Sequence, residues 1–249
     1  MKLLSKRNAY FLVAILATAF FYTRDGDITT SVYATGTAFA LPLALAAMVG
    51  IMCERTGIVN IGIEGTMLLS AFVAFFVSSL TQNIMIGLFV AILTGSLMGL
   101  LLALMSVSWR MDQIIAGTIL NILATGLTSF LYVQGKTIPN VFQAIEVPGL
   151  SKIPFFGPVL FIHGPLTFLG LAIILTLYVA IYHTPWGLRS RAVGEHPSSA
   201  DTAGVSVARL RYINVTIAGA IGALAGAYLS LELVGSFERG FTAGKGFTA

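Results

Sequence analysis

Few side chains in this sequence could do chemistry, and the most telling of them are spaced for position in a membrane. In Gly57-Ile58-Val59-Asn60-Ile61-Gly62-Ile63-Glu64-Gly65, glycines, an amide and a carboxylate interrupt β-branched residues that are too apolar for a loop in water. Irregular backbone at membrane depth persists only where protein buries it or a cavity runs beside it. A charged side chain in a spanning segment costs about 2.5–3.5 kcal/mol on insertion scales and is a functional candidate by default. Asn60, Gly62, Glu64 and Gly65 are therefore candidates for a translocation path beside a broken, re-entrant helix; a tight turn on the inner face, with Glu64 at the lipid–water boundary, is the alternative. Asn121, in the middle of a later apolar run, is a further polar candidate, and an interhelical hydrogen bond explains it equally well.

Catalysis finds little support. Gly204-Val205-Ser206-Val207 is faintly similar to the serine motif of intramembrane proteases, but no histidine follows it to act as base, and Ser206 fits better as a helix N-cap. His163 and His183 fall at the ends of apolar runs and His196 in a polar stretch, so they form no cluster. A single cysteine, Cys53, excludes an internal disulfide, and without a Cys/His cluster no metal is expected. Gly244-Lys245-Gly246 lacks the spacing of a phosphate loop. The chain is expected to have no catalytic residue and no cofactor, and to be unable to hydrolyse ATP alone.

The elements that must position these residues are set by composition. With 57% hydrophobic and 10% charged residues and a mean hydropathy of +0.90, the chain departs far from a soluble domain, in which about a quarter of residues are charged. It reads as an all-α, polytopic helix bundle in a lipid bilayer; the net charge of +4 gives no ground for a nucleic-acid partner. Apolar runs near 8–23, 33–52, 66–80, 84–107, 113–133, 165–183 and 212–234 are the expected spans of one transmembrane domain, residues 1–249. The first is either a span or a signal peptide, since Ala17-Thr18-Ala19 has the small-x-small form of a cleavage site. Residues 134–164, with Pro139, Pro148, Pro154 and Pro158, form a stiff extramembrane loop.

An inner N-terminus places nine basic residues (Lys2, Lys6, Arg7, Arg55, Arg110, Arg189, Arg191, Arg209, Arg211) inside and five (Arg24, Lys136, Lys152, Arg239, Lys245) outside. That distribution obeys the positive-inside rule and makes 184–211 a cytoplasmic loop. Within it, Pro197 to Ala203 followed by Gly204 reads as a short capped helix: proline suits the first turn, Asp201 lies close to the positive end, and glycine past the end accepts a left-handed conformation. A mere connector needs no helix, so this one suggests a surface presented to a partner. Gly87, Ala91, Gly95, Gly99 and Ala103 form a ladder four apart, and Ala218, Gly222 and Gly226 another; small residues let helices approach closely in lipid.

The stretch Glu54 to Leu69 is similar to a motif of the permease subunits of bacterial ABC importers for branched-chain amino acids and simple sugars, in their nucleoside branch. Arg191-Ala192-Val193-Gly194-Glu195-His196-Pro197, Ala200 to Val205, Arg211-Tyr212 and Gly226-Ala227-Tyr228 resemble a second motif of that family, and Ile114 to Thr118 with Asn121 extends the likeness over most of the chain. The resemblance implies a transmembrane subunit moving nucleosides or related sugars across a bacterial plasma membrane. Its implied partners are separate ATPase subunits, a second related permease and an extracellular or periplasmic substrate-binding (lipo)protein. Gly194, Glu195, Pro197, Ala200, Asp201, Gly204 and Val205 would then form the coupling surface for the ATPase. Thr242 to Phe247 resembles the family's approach to a further membrane segment, so the chain looks cut short there. A secondary transporter driven by an ion gradient is the rival reading; apart from Glu64 and Glu232 the spans carry almost no carboxylate to bind a coupling ion.

Overall fold

The computed structural model describes residues 6–138 and 141–249; Lys2 and Pro139 lie outside the described residues. Of the described residues, 6–39 and 144–163 form one compact unit, and 40–138, 141–143 and 164–249 another.

The first unit contains α1 (Lys6–Arg24) and the opening half of α2 (Gly26–Glu54). Asp25, just before α2, accepts a hydrogen bond from the Ile28 amide at 3.0 Å and thereby starts the helix seven residues ahead of the apolar run. The proline-rich loop contributes β1 (Ile145–Glu146), α6 (Phe156–Leu160) and β2 (Ile162–His163). The two short strands pair antiparallel, Ile145 opposite His163 and Glu146 opposite Ile162. Phe155 meets the rings of Tyr22 and Tyr33 edge-on, at centroid separations of 5.5 and 5.4 Å.

The second unit is built on α3 (Ile63–Thr81), α4 (Ile84–Ala103), α5 (Gln113–Leu131), α7 (Pro165–His183) and α10 (Val207–Tyr228), with the closing half of α2 and the short helices α8 (Pro185–Glu195) and α9 (Pro197–Thr202). α4 continues as a π-helical turn, Leu104–Ser108, and α10 as another, Leu229–Val234, which stops at Gly235 with φ of +71°. Among the described residues, six helices are long and apolar enough to cross a membrane: α2, α3, α4 and α10 with their π turns, α5 and α7. α3 and α10 are 72% buried over their apolar windows against 28% for α5 and α7. The former pair is therefore the centre of the bundle, and the latter present faces such as Ile122, Phe130 and Leu175 outward.

Close backbone approach makes this core. A Cβ on Gly95 would run into Gly219 and Ala223 of α10, and one on Gly99 would meet Gly219 Cα at 3.1 Å. The upper rung, Gly87, faces Ser78 and Ala74 of α3 instead. The four-apart ladder on α4 thus serves two neighbours. On α10, Gly219 takes the seam with α4, while Gly222 and Gly226 turn to Thr66 and Met67 of α3. Without a hydrophobic drive between helices in lipid, this contact area supplies the packing.

Candidate functional site

The helix α2 ends because Gly57 adopts φ of +76°, a conformation that costs glycine nothing. The amides of Gly57 and Ile58 turn back to Glu54 O at 2.9 Å and Cys53 O at 3.1 Å, closing the helix end. From Ile58 to Gly62 the chain runs without regular structure, and its polar groups are satisfied from α5. Gln113 Oε1 accepts the Val59 amide at 2.7 Å, Asn121 Oδ1 accepts the Gly65 amide at 2.7 Å, and Asn121 Nδ2 donates to Ile61 O at 3.0 Å. A Cβ on Gly65 would lie 2.7 Å from Asn121 Oδ1 and one on Gly117 2.8 Å from Gly62 N. The glycines here are required by near-contact of two backbones.

Glu64, in the first turn of α3, is 9% exposed. Its Oε1 accepts from Thr242 Oγ1 at 2.5 Å and the Gly244 amide at 2.9 Å, and its Oε2 from the Gly246 amide at 2.6 Å. Neutral donors and the positive end of α3 thus hold the carboxylate. Glu232 repeats the device: it accepts from the Leu166 amide at 2.7 Å, the Thr167 amide at 3.3 Å and Thr167 Oγ1 at 2.6 Å, fastening the start of α7. Both carboxylates are spent on backbone amides.

Of the five expected path residues, Gly62, Glu64, Gly65 and Asn121 converge in one polar knot where α3, α5 and residues 242–246 meet. Asn60 stands at its edge. Its Nδ2 reaches only Cys53 Sγ, at 3.7 Å, and its Oδ1 is buried without a hydrogen-bond partner. It lines a cavity of about 360 Å³ with Gly50, Ile51, Glu54, Ile63 and Phe247.

The expected coupling residues divide into two groups. α9 begins after His196 with Pro197 in its first turn and ends at Thr202, one residue earlier than the sequence suggests. Gly204, at φ of +82°, donates to Asp201 O at 2.9 Å, and Val205 to Ala200 O at 3.0 Å. Asp201 therefore sits in the last turn, away from the positive end expected for it. Ser206 does occupy the N-cap position of α10, but its side chain makes no capping bond. Ala200 is buried and anchors α9, while Glu195, Pro197, Asp201 and Gly204 are exposed.

Gly194 lies elsewhere, against the end of α2. A Cβ on it would come within 2.5 Å of Arg55 O and 3.2 Å of Gly57 N, and the Arg211 Nε donates to Thr56 O at 3.1 Å from the other side. Ser190 Oγ accepts from buried Asn214 Nδ2 at 2.9 Å, tying α8 to α10. The exposed α9 is thus joined, through α8, to the turn that begins the broken segment.

Residues 32–249 match the family described as branched-chain amino acid transport system, permease component. The chain belongs to that family. It is 37% identical over 229 residues to the guanosine ABC transporter permease protein NupQ of Bacillus subtilis, covering 85% of this chain and 70% of the relative. It is 36% identical over 224 residues to the nucleoside ABC transporter permease protein NupC of Lactococcus lactis, covering 84% and 70%. The putative glucose ABC transporter permease protein TsgC13 of Haloferax volcanii is 34% identical over 215 residues, covering 84% and 65%. No solved structure matches the chain. This permease is an all-α, multi-pass membrane protein and a subunit of an ABC importer, in a family of membrane permeases and not of enzymes.

Sequence reasoning missed Gln113, Arg211, Asn214 and Thr242 as parts of the site. Their partners lie between 24 and 178 positions away in the chain, and no local pattern marks such pairs.

Proposed function

We propose that this permease forms the path by which a nucleoside crosses a bacterial plasma membrane inward, gated by the knot around Glu64 and driven from α9. The observation that carries the reading is the seating of Gly194 on the turn at Arg55–Gly57, because it gives a push on the exposed helix a route to the broken segment. The N-terminus lies in the cytoplasm, as the distribution of basic residues favours, so α8 and α9 face the cytoplasmic ATPase subunits. Those subunits hydrolyse ATP. A second, related permease completes the path, and an extracellular or periplasmic binding (lipo)protein delivers the solute on the opposite side.

When the ATPases close, α9 moves with Ala200 as its anchor and α8 shifts against residues 55–57. Residues 59–61 follow, since Gln113 and Asn121 hold their backbone between the Ile58 amide on Cys53 O and the Gly62 carbonyl that accepts from Thr66. The start of α3 then moves relative to 242–246, and the Glu64 bonds to that loop set the resistance of the gate. Asn60, Gly62, Gly65 and Asn121 border the opening. The nucleoside assignment is supported by the names of relatives at 37% and 36% identity, against 34% for one named for glucose. The engagement of Glu64 and Glu232 by amides argues against ion coupling through either.

The test is uptake of radiolabelled guanosine by proteoliposomes holding the permease with its partner permease, ATPases and binding protein. Uptake should need ATP, persist with an uncoupler and fall on adding unlabelled nucleoside but not glucose. Uptake without ATP that an uncoupler abolishes would show an ion-driven carrier. Competition by glucose alone would reassign the solute.

A further inference from the structure

Two arginines from distant parts of the chain approach the ring of one tyrosine at the end of α7. The Arg55 guanidinium carbon stands 5.8 Å from the Tyr182 ring centroid and that of Arg191 5.6 Å from it, and Arg55 also donates to the Tyr182 hydroxyl at 3.4 Å. Among the described residues neither arginine has a carboxylate within ion-pair distance. The Arg191 Nε is moreover buried with no hydrogen-bond partner. Two cations sharing a ring repel each other, and a buried donor without an acceptor is unfavourable. An anion reached by the terminal NH2 groups of both guanidinium ions would offset that repulsion.

The setting identifies the anion. Tyr182 is the penultimate residue of a candidate membrane span, Pro165–His183. On the same helix Leu171, Leu175 and Tyr178 are 44, 68 and 54% exposed, and with Tyr182 they are spaced four, three and four apart, which puts them on one face. This apolar stripe runs straight into the arginine pair. Tyrosine is enriched at the membrane–water boundary, and guanidinium forks match phosphate oxygens. We infer that Arg55, Arg191 and Tyr182 bind the phosphate of an anionic phospholipid headgroup, with an acyl chain lying along Leu171, Leu175 and Tyr178. The site joins the turn that ends α2 to α8, so a bound lipid braces the two elements that meet at Gly194. It depends on neither the transported solute nor the orientation of the chain.

The probe is phosphatidylglycerol, presented to the complete permease–ATPase complex in nanodiscs of phosphatidylglycerol and phosphatidylcholine, with retained lipid counted by native mass spectrometry. The wild-type complex should keep phosphatidylglycerol in preference to phosphatidylcholine. The double variant Arg55→Gln/Arg191→Gln should hold it roughly thirty-fold more weakly, at about five-fold per charge. The pair Arg55→Lys/Arg191→Lys keeps the charge without the fork and should fall between. Arg189→Gln, exposed on the same helix, should bind as wild type. Equal retention by the wild type and the double glutamine variant, or no preference between the two lipids, overturns the proposal. Displacement by millimolar inorganic phosphate would assign the site to the free anion, and a lipid kept only after the ATPases are removed would assign the arginines to that protein contact.

Discussion

Replacing Glu64 with glutamine changes one atom and should loosen one loop. In the carboxylate, Oε1 accepts from Thr242 Oγ1 and Gly244 N, and Oε2 from Gly246 N. An amide offers only one acceptor oxygen. With that oxygen kept toward Thr242 and Gly244, the new NH2 group faces the Gly246 amide, two donors with no acceptor between them. A buried donor left unsatisfied costs about 1–3 kcal/mol, and the two surviving bonds lose their charge assistance, about 1 kcal/mol each. The sum, about 3–5 kcal/mol, is at least roughly a hundred-fold in the balance between a latched and a released loop. Hydrogen–deuterium exchange of the permease in nanodiscs reads this directly. The Gly244 and Gly246 amides should exchange at least roughly a hundred-fold faster in Glu64→Gln, with α4 and the centre of α10 unchanged, because the glycine seam between them is untouched. Glu64→Asp, which keeps the charge but is one methylene shorter, should lie between the two. Unchanged exchange over 240–249 refutes the latch. Should transport fail with exchange unchanged, Glu64 acts on the solute itself.

The same geometry sets five further expectations. Gly194→Ala pushes a Cβ to within 2.5 Å of Arg55 O, an overpacking of about 1–3 kcal/mol; reconstituted uptake per ATP hydrolysed should drop about tenfold or more while helical circular dichroism stays the same. A Cβ on Gly204 meets no atom within 4 Å, but Gly204→Val must hold φ of +82°, a strain of about 1–2 kcal/mol, so transport should uncouple from ATP hydrolysis with membrane insertion intact. Asn121→Ala removes the acceptor for the Gly65 amide and the donor to Ile61 O; the melting temperature in detergent should fall, and Asn121→Asp, which cannot donate, should not restore it. Gly65→Ala should cost less on the Asn121→Ala background than alone, since its new Cβ strikes the Asn121 side chain, and a double-mutant cycle measures that coupling. Glu232→Gln should raise exchange at the first turn of α7, where the carboxylate holds the Leu166 and Thr167 amides.

Composition alone determined the solvent: a chain with one charged residue in ten and long apolar runs can satisfy its backbone in lipid only as helices. Local chemistry also marked where the helices stop. Gly204 is the left-handed position its surroundings suggest, and Pro197 opens the helix it should. Spacing found the small-residue seams, because a helix repeats its face every three to four residues. What spacing could not assign is which neighbour each rung meets: Gly87 faces α3, whereas Gly95 and Gly99 face α10, and Gly219, off the four-apart pattern, closes the seam. The polar residues show the same limit more sharply. Glu64, Asn121 and Glu232 stand out in a sequence because charge and amides are rare in lipid, but rarity is silent on the partner. Only the tertiary structure decided that Glu64 holds a loop some 180 residues away, that Asn121 carries the backbone of the broken segment and that Gly194 rests on Arg55. Hydrogen bonds and backbone contacts form between chain segments brought together by packing, and packing depends on every helix face at once.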